Sequence, residues 1–218
     1  GPAGDAERVL GVLGDPAARP GVIVDGTDNF ATRYLLNDVC VKHGVALVYG
    51  GAVGSGGTQT TFVPGVTPCL RCLQPAPPAA GEIETCDTAG VLAMTTTIVA
   101  ACQATDALKV LLGRADLLSG TLLSLDLWTN QRRRVDLRGA RDADCPCCAR
   151  RVFEFLDHDD EGQARVLCGR NSVQVGGREA GRSVPGAARA LRDGGANTPC
   201  ESKSADDDSA AALATLAT

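Results

Sequence analysis

The chain has 218 residues, 44% of them hydrophobic and 3% aromatic, with a formal net charge of −5 and a sequence pI of about 5.0. That length suits one domain with a real core, or one domain with tails. The acidic balance argues against a general nucleic-acid binder, no apolar run reaches the roughly 18 residues of a membrane span, and Gly1 to Leu10 does not read as a signal peptide.

Residues 1–20, rich in Gly, Ala and Pro, read as a remnant or linker. Gly21 to Asp25 reads as a short buried strand ending in an acid. Thr27 or Asp28 can cap a helix from about Asn29 to His43, with Gly44 as its stop. Val45 to Tyr49 is the next strand, and strand, helix, strand with short links predicts a parallel βαβ unit. Gly50 to Gly57 reads as a glycine-rich turn and Thr58 to Val63 as a β-branched strand. Residues 74–90 carry Pro75, Pro77, Pro78 and Gly81 and read as a long loop, a length that is usually functional. A helix follows from Val91 to Leu112, with Gly113 as its cap. Thr121 to Leu127 and Arg132 to Leu137 make a hairpin around Thr129 and Asn130. Phe153 to Leu156 suggests one more strand. Past Gly176 the periodicity is lost, and residues 176–218 read as a disordered tail.

Two C-x-x-C pairs carry the chemistry. Cys69 and Cys72 form one and Cys145 and Cys148 the other, with Cys145 lying 73 positions after Cys72. Each pair turns two thiolates to one side of a knuckle, and two knuckles complete a tetrahedral sulfur cage. Soft thiolates in a closed tetrahedron select zinc. A zinc ribbon sets its pairs about 15–20 residues apart. Here a whole structural unit lies between them, so the metal ties the end of a domain back onto it. With metal spacing and no export signal, the ten cysteines point to a reducing, cytoplasmic setting rather than to disulfides. Cys147 adjoins two ligands and either stands by or takes the place of Cys148. Cys40 and Cys102 fall inside helices as small core residues. Cys168 is either buried filler or a second redox thiol. His43, at a helix C-terminus, has a structural reading, and His158 lies solvated among acids.

The segment Asp25-Gly26-Thr27-Asp28-Asn29-Phe30-Ala31-Thr32-Arg33 resembles the D-x-T-D-N-x-x-x-R segment of the ThiF/MoeB/HesA family. The likeness continues through Cys69-Leu70-Arg71-Cys72, the Pro-rich loop, Thr85-Cys86, Ala89-Gly90-Val91-Leu92 and Cys145 to Cys148. It covers roughly residues 20–150. Leu167 to Gln174 also resembles a C-terminal extension of some bacterial ThiF-like proteins. The resemblance implies a Rossmann-like α/β fold of the E1/ThiF type: a mainly parallel sheet with an antiparallel extension and a four-cysteine zinc knuckle. The domain spans residues 21–150, with an extension over 151–175. It implies an adenylyltransferase that uses ATP and Mg²⁺ to activate the C-terminal Gly-Gly carboxylate of a ubiquitin-like sulfur carrier of the ThiS or MoaD kind. Thiamine, molybdopterin or thiolated tRNA would be the product served. A homodimer and a sulfurtransferase partner are implied with it.

Within that resemblance Asp28 sits just past a strand's carboxyl end, where open α/β sheets bind ligands, and its carboxylate can hold Mg²⁺ against a triphosphate. Asn29 offers an amide to the nucleotide, and Arg33, about one helical turn on, could reach the same site. The plainer reading makes Asp28 a helix cap, and both roles can coexist. Cys86 lies before a helix, which can lower a thiol's pKa. It stands 14 residues past Cys72, where some family members carry a thiol that joins the carrier or a persulfide. Its other reading is an inert loop cysteine.

The family's G-x-G-G-x-G-type loop, acidic ribose contact and upstream phosphate-binding Arg and Lys have no counterpart here. Gly50 to Gly54 follows the wrong strand for a phosphate loop. The expectation is therefore the C-terminal part of such a domain. Its alternative is a non-catalytic, zinc-stabilised module that binds a carrier or serves as a scaffold.

Overall fold

The computed structural model describes residues 19–78, 86–157, 164–167 and 172–175. The readings of residues 1–18 and 176–218, and those of His158 and Cys168, lie outside the described residues. Five strands form one sheet in the order β1-β2-β3-β4-β5: β1 (Val22–Val24), β2 (Ala46–Val53), β3 (Gly56–Phe62), β4 (Thr121–Asp126) and β5 (Gln131–Asp136). β1 pairs with β2 in parallel, and the three remaining pairings are antiparallel. The sheet is thus α/β with its βαβ start in place, and the antiparallel extension makes up the larger share of what is described.

Helix α1 (Phe30–His43) supplies the crossover. It starts one residue later than its periodicity suggests. Asn29 is extended and its side-chain oxygen accepts from the Thr32 amide, so Asn29, and not Thr27 or Asp28, is the cap. Gly44 ends the helix in the left-handed region at φ 72°, its N–H bonded to the Cys40 carbonyl. One face of the sheet meets α1. Ile23, Leu47, Tyr49 and Phe62 pack with Tyr34, Leu36, Val39 and Cys40 into the main core. This core runs past residue 150: Leu156 is buried in it, with Phe153 and Phe155 against it. Glu154–Asp157 there form a short helix, here α5, not the strand that the aromatic residues suggested. Two further short helices, α2 (Leu70–Leu73) and α3 (Cys86–Ala89), flank the expected loop.

The opposite face meets the long helix α4 (Ala93–Leu111). This packing corrects the reading of Gly50 to Gly57 as a turn. β2 runs on to Val53 and β3 begins at Gly56, so the turn itself is only Gly54 and Ser55. A Cβ on Gly50 would lie 2.5 Å from the Gln103 side-chain amide, and one on Gly57 2.8 Å from Val99. These glycines serve the close approach of a helix to a strand. In the space so made, Gln103 Nε2 donates to the Asp25 and Val48 carbonyls at 2.7 and 3.1 Å.

A second polar contact locks α4 to the sheet. Asp106 accepts from Gln59 Nε2 and Thr61 Oγ1, each at 3.0 Å, and from Lys109 Nζ at 2.8 Å. Burial pushes its pKa up, but the donors from Lys109, Gln59 and Thr61 outweigh that and hold it below the ordinary carboxylate range. Asp106→Ala strands two buried donors and is expected to cost about 2 kcal/mol in urea unfolding at neutral pH. Because the folded pKa lies below the unfolded one, this stabilisation is full above roughly pH 4 and fades as pH falls through the folded value. The gap between wild type and variant should close on acidification, and a constant gap would refute the charge-based account.

Residues 164–167 and 172–175 form a separate antiparallel hairpin, β6 (Ala164–Leu167) with β7 (Ser172–Val175).

Candidate functional site

Two groups of polar residues sit on the frame of α1. The first lies at the carboxyl end of β1. Asp25 is almost fully buried, and its Oδ1 accepts from both the backbone N–H and the hydroxyl of Thr27, at 2.9 and 2.7 Å. This fixes the turn that follows the strand. Arg33, 7% exposed, closes the turn from below. Its Nη1 donates to the Tyr49 hydroxyl at 2.9 Å, and its Nη2 to the Thr27 and Gly50 carbonyls at 2.9 and 3.2 Å. Its Nε lies 3.6 Å from Asp25 Oδ2, and its guanidinium lies over the Tyr49 and Phe30 rings. Burial raises the Tyr49 pKa, so the phenol stays neutral.

Asp28 and Asn29 stand exposed above this pinned turn. Asn29 Nδ2 donates to Asp28 Oδ1 at 3.2 Å while Asn29 Oδ1 caps the helix. The structure therefore brings Asp28 and Asn29 together at the surface and turns Arg33 inward. The role of Arg33 here is to support the loop. Asp25, Tyr49 and Gln103 complete this support and escaped the sequence reading. The buried acid closing β1 was the one signal for them, and its partners lie far along the chain.

The second group joins the two knuckles. The sulfurs of Cys69, Cys72, Cys145 and Cys148 all lie within 4.8 Å of one another. Individual separations are 3.9 Å for Cys69 to Cys72, 3.6 Å for Cys69 to Cys145 and 3.4 Å for Cys72 to Cys148. A tetrahedral site with metal–sulfur bonds of about 2.3 Å sets its sulfurs about 3.8 Å apart. A disulfide would need about 2.0 Å. The four thiols thus fit one cation and are not bonded in pairs. Cys147 lies outside the group although it is fully buried beside it. Its sulfur accepts from Asn37 Nδ2 at 3.3 Å instead. Burial, aided by the hydrogen bond that the thiol donates to Cys72, pushes Cys148 up. Cys145 is lowered against its burial by the backbone N–H groups of Cys148 and Cys147 and by Cys69.

The remaining candidate, Cys86, opens α3. No helix among the described residues is long and apolar enough to cross a membrane.

The ThiF family model matches residues 13–147. The chain is 44% identical over 170 residues to Sulfur carrier protein ThiS adenylyltransferase of Bacillus subtilis (strain 168), covering 78% of this chain and 48% of that protein. It is 44% identical over 139 residues to SAMP-activating enzyme E1 of Haloferax volcanii, covering 64% and 50%. Adenylyltransferase and sulfurtransferase MOCS3 of Drosophila persimilis is 39% identical over 154 residues, with 70% and 33% covered. The chain thus spans half or less of the length of these curated relatives. Among solved structures, E. coli MccB with ATP aligns at a TM-score of 0.48 and 18% identity, over 62% of this chain and 44% of that one.

Proposed function

The chain belongs to the ThiF family, and from that premise we propose that it forms part of an adenylyltransferase that activates the C-terminal carboxylate of a ubiquitin-like sulfur carrier ending in Gly-Gly. The observation that carries this reading is the exposed Asp28–Asn29 pair at the carboxyl end of β1, held from below by Arg33. In the reaction a carrier carboxylate oxygen attacks the α-phosphorus of ATP. The new bond joins that oxygen to phosphorus, the bond to the bridging oxygen breaks, and pyrophosphate leaves with the electron pair. Charge grows on the leaving phosphates, so a fixed carboxylate that holds Mg²⁺ against them lowers the barrier. Asp28 would hold the cation there. Asn29 keeps its oxygen on the helix cap and offers its N–H groups to Asp28 and the nucleotide.

The four-cysteine group is read as a structural zinc site held by Cys69, Cys72, Cys145 and Cys148. A carrier of the ThiS kind suits the chain, because the match to a ThiS adenylyltransferase extends over 170 residues, beyond the span of the family model. The product would then serve thiamine synthesis. A homodimer and a sulfurtransferase partner belong to the same reading.

The test is ATP–pyrophosphate exchange with Mg²⁺ and a ThiS-like carrier. Exchange that requires the carrier's terminal carboxylate supports the proposal. No exchange from a folded, zinc-loaded chain replaces it with the non-catalytic, carrier-binding reading. Cys86 is assigned the thiol that attacks the carrier's acyl-adenylate, forming a carrier thioester as AMP leaves. Cys86→Ser is expected to retain exchange, metal and melting temperature while losing any thiol-labile carrier adduct, checked by mass spectrometry with and without reductant. An adduct that persists in this variant removes Cys86 from the scheme.

A further inference from the structure

Asn37 and Asp38 are polar, adjacent and fully buried in the middle of α1, where an unpaired polar group would be costly. Each is satisfied, and by partners from distant parts of the chain. Asn37 Oδ1 accepts from the Leu70 backbone N–H at 2.9 Å, inside the first knuckle. Asn37 Nδ2 donates to Cys147 Sγ at 3.3 Å, inside the second, and to Asp38 Oδ1 at 3.3 Å. Asp38 Oδ2 accepts from the Phe155 N–H at 3.1 Å. Two neighbouring side chains thus bind both knuckles and the segment that returns to the core. Arg151 adds a second tie, its guanidinium donating to the Val41 and Lys42 carbonyls at the C-terminal end of α1, each at 3.1 Å.

We propose that Asn37 and Asp38 form a metal-independent latch that holds the two cysteine knuckles together, with Cys147 as its anchor and not as a ligand. The inference rests on the reading of the four-cysteine group as a metal site. A cage built from two loops distant in sequence would otherwise have to be assembled by the metal itself. The latch orders the four thiols beforehand, so metal enters a formed site and leaves it slowly. Groups that orient ligands in this way affect metal binding strongly when removed.

The experiment measures release of zinc to excess EDTA from the zinc-loaded chain, with metal content determined beforehand. Asn37→Ala and Cys147→Ala are expected to retain one metal per chain and to release it roughly 10-fold faster or more. Cys147→Ser is expected to release near the wild-type rate, because its hydroxyl can accept from Asn37 as the sulfur does. Wild-type release from Cys147→Ala overturns the latch, and so does sub-stoichiometric metal in Cys147→Ser, which would make Cys147 a ligand. If Asn37→Ala does not fold, the Ser and Ala variants of Cys147 decide the matter. If the wild-type chain holds no metal, the cage reading fails separately. Hydrogen exchange at the Leu70 amide then reads the latch directly. Faster exchange in Asn37→Ala supports it, and unchanged exchange overturns it.

Discussion

Cys69→Ser and Cys145→Ser should each release the metal and lower the melting temperature by roughly 10 °C, the equivalent of about 3 kcal/mol in a domain of this size. Both thiols are buried and 3.6 Å apart, at the junction of the knuckles. A hydroxyl is a poor ligand for a soft cation in a sulfur site. Metal binding to such a site is in part folding free energy, so loss of the ion is felt as loss of stability. The second knuckle also carries Cys147 and leads into Phe153 and Leu156, which pack in the main core. Disorder starting at the cage therefore spreads inward. Metal analysis and calorimetry check the outcome, and wild-type zinc content with wild-type melting in both variants would defeat the cage assignment.

Asp28→Ala should reduce carrier-dependent ATP–pyrophosphate exchange by about 100-fold or more, with little change in stability. The magnitude is that of removing one group that stabilises developing charge. The absence of a stability cost follows from its setting. Asp28 is exposed, the helix cap is Asn29, and the turn is held by Asp25, Thr27 and Arg33. Asp28→Asn distinguishes charge from shape, since it keeps the acceptor for Asn29 Nδ2 while losing the negative charge. Exchange retained in Asp28→Asn would show that the carboxylate holds no cation.

The features legible in the sequence are those whose determinants lie close together. The C-x-x-C spacing sets each knuckle locally, and the four sulfurs do converge. Gly44 stopped α1 as expected, because a left-handed cap is a one-residue decision. Glycine is ambiguous elsewhere, however. At Gly50 and Gly57 its small size admits α4, a residue separation that no local pattern encodes. Arg33 was read as reaching the site of Asp28 and Asn29, because the helix spacing was the visible signal. Its partners Tyr49 and Gly50 lie 16 and 17 residues away and draw it inward. The value of Asn37 and Asp38 comes from Leu70, Cys147 and Phe155, all distant in the chain. Phe153 to Leu156 had the composition of a strand, but packing on α1 made it a helical turn.

The wide separation of the knuckles has a consequence for synthesis. Cys69 and Cys145 are 76 residues apart in the chain. At translation rates of about 5–20 residues per second, the first pair of thiols waits roughly 4–15 s for the second. During that interval Cys69 and Cys72 form an incomplete two-sulfur site on a nascent chain, open to oxidation and to transient metals. α1, with Asn37 and the Leu70 amide already in reach, is made before the wait begins, so the first knuckle can dock while the second is still within the ribosome. Vectorial growth thus places the receptor for the late segment ahead of the segment itself.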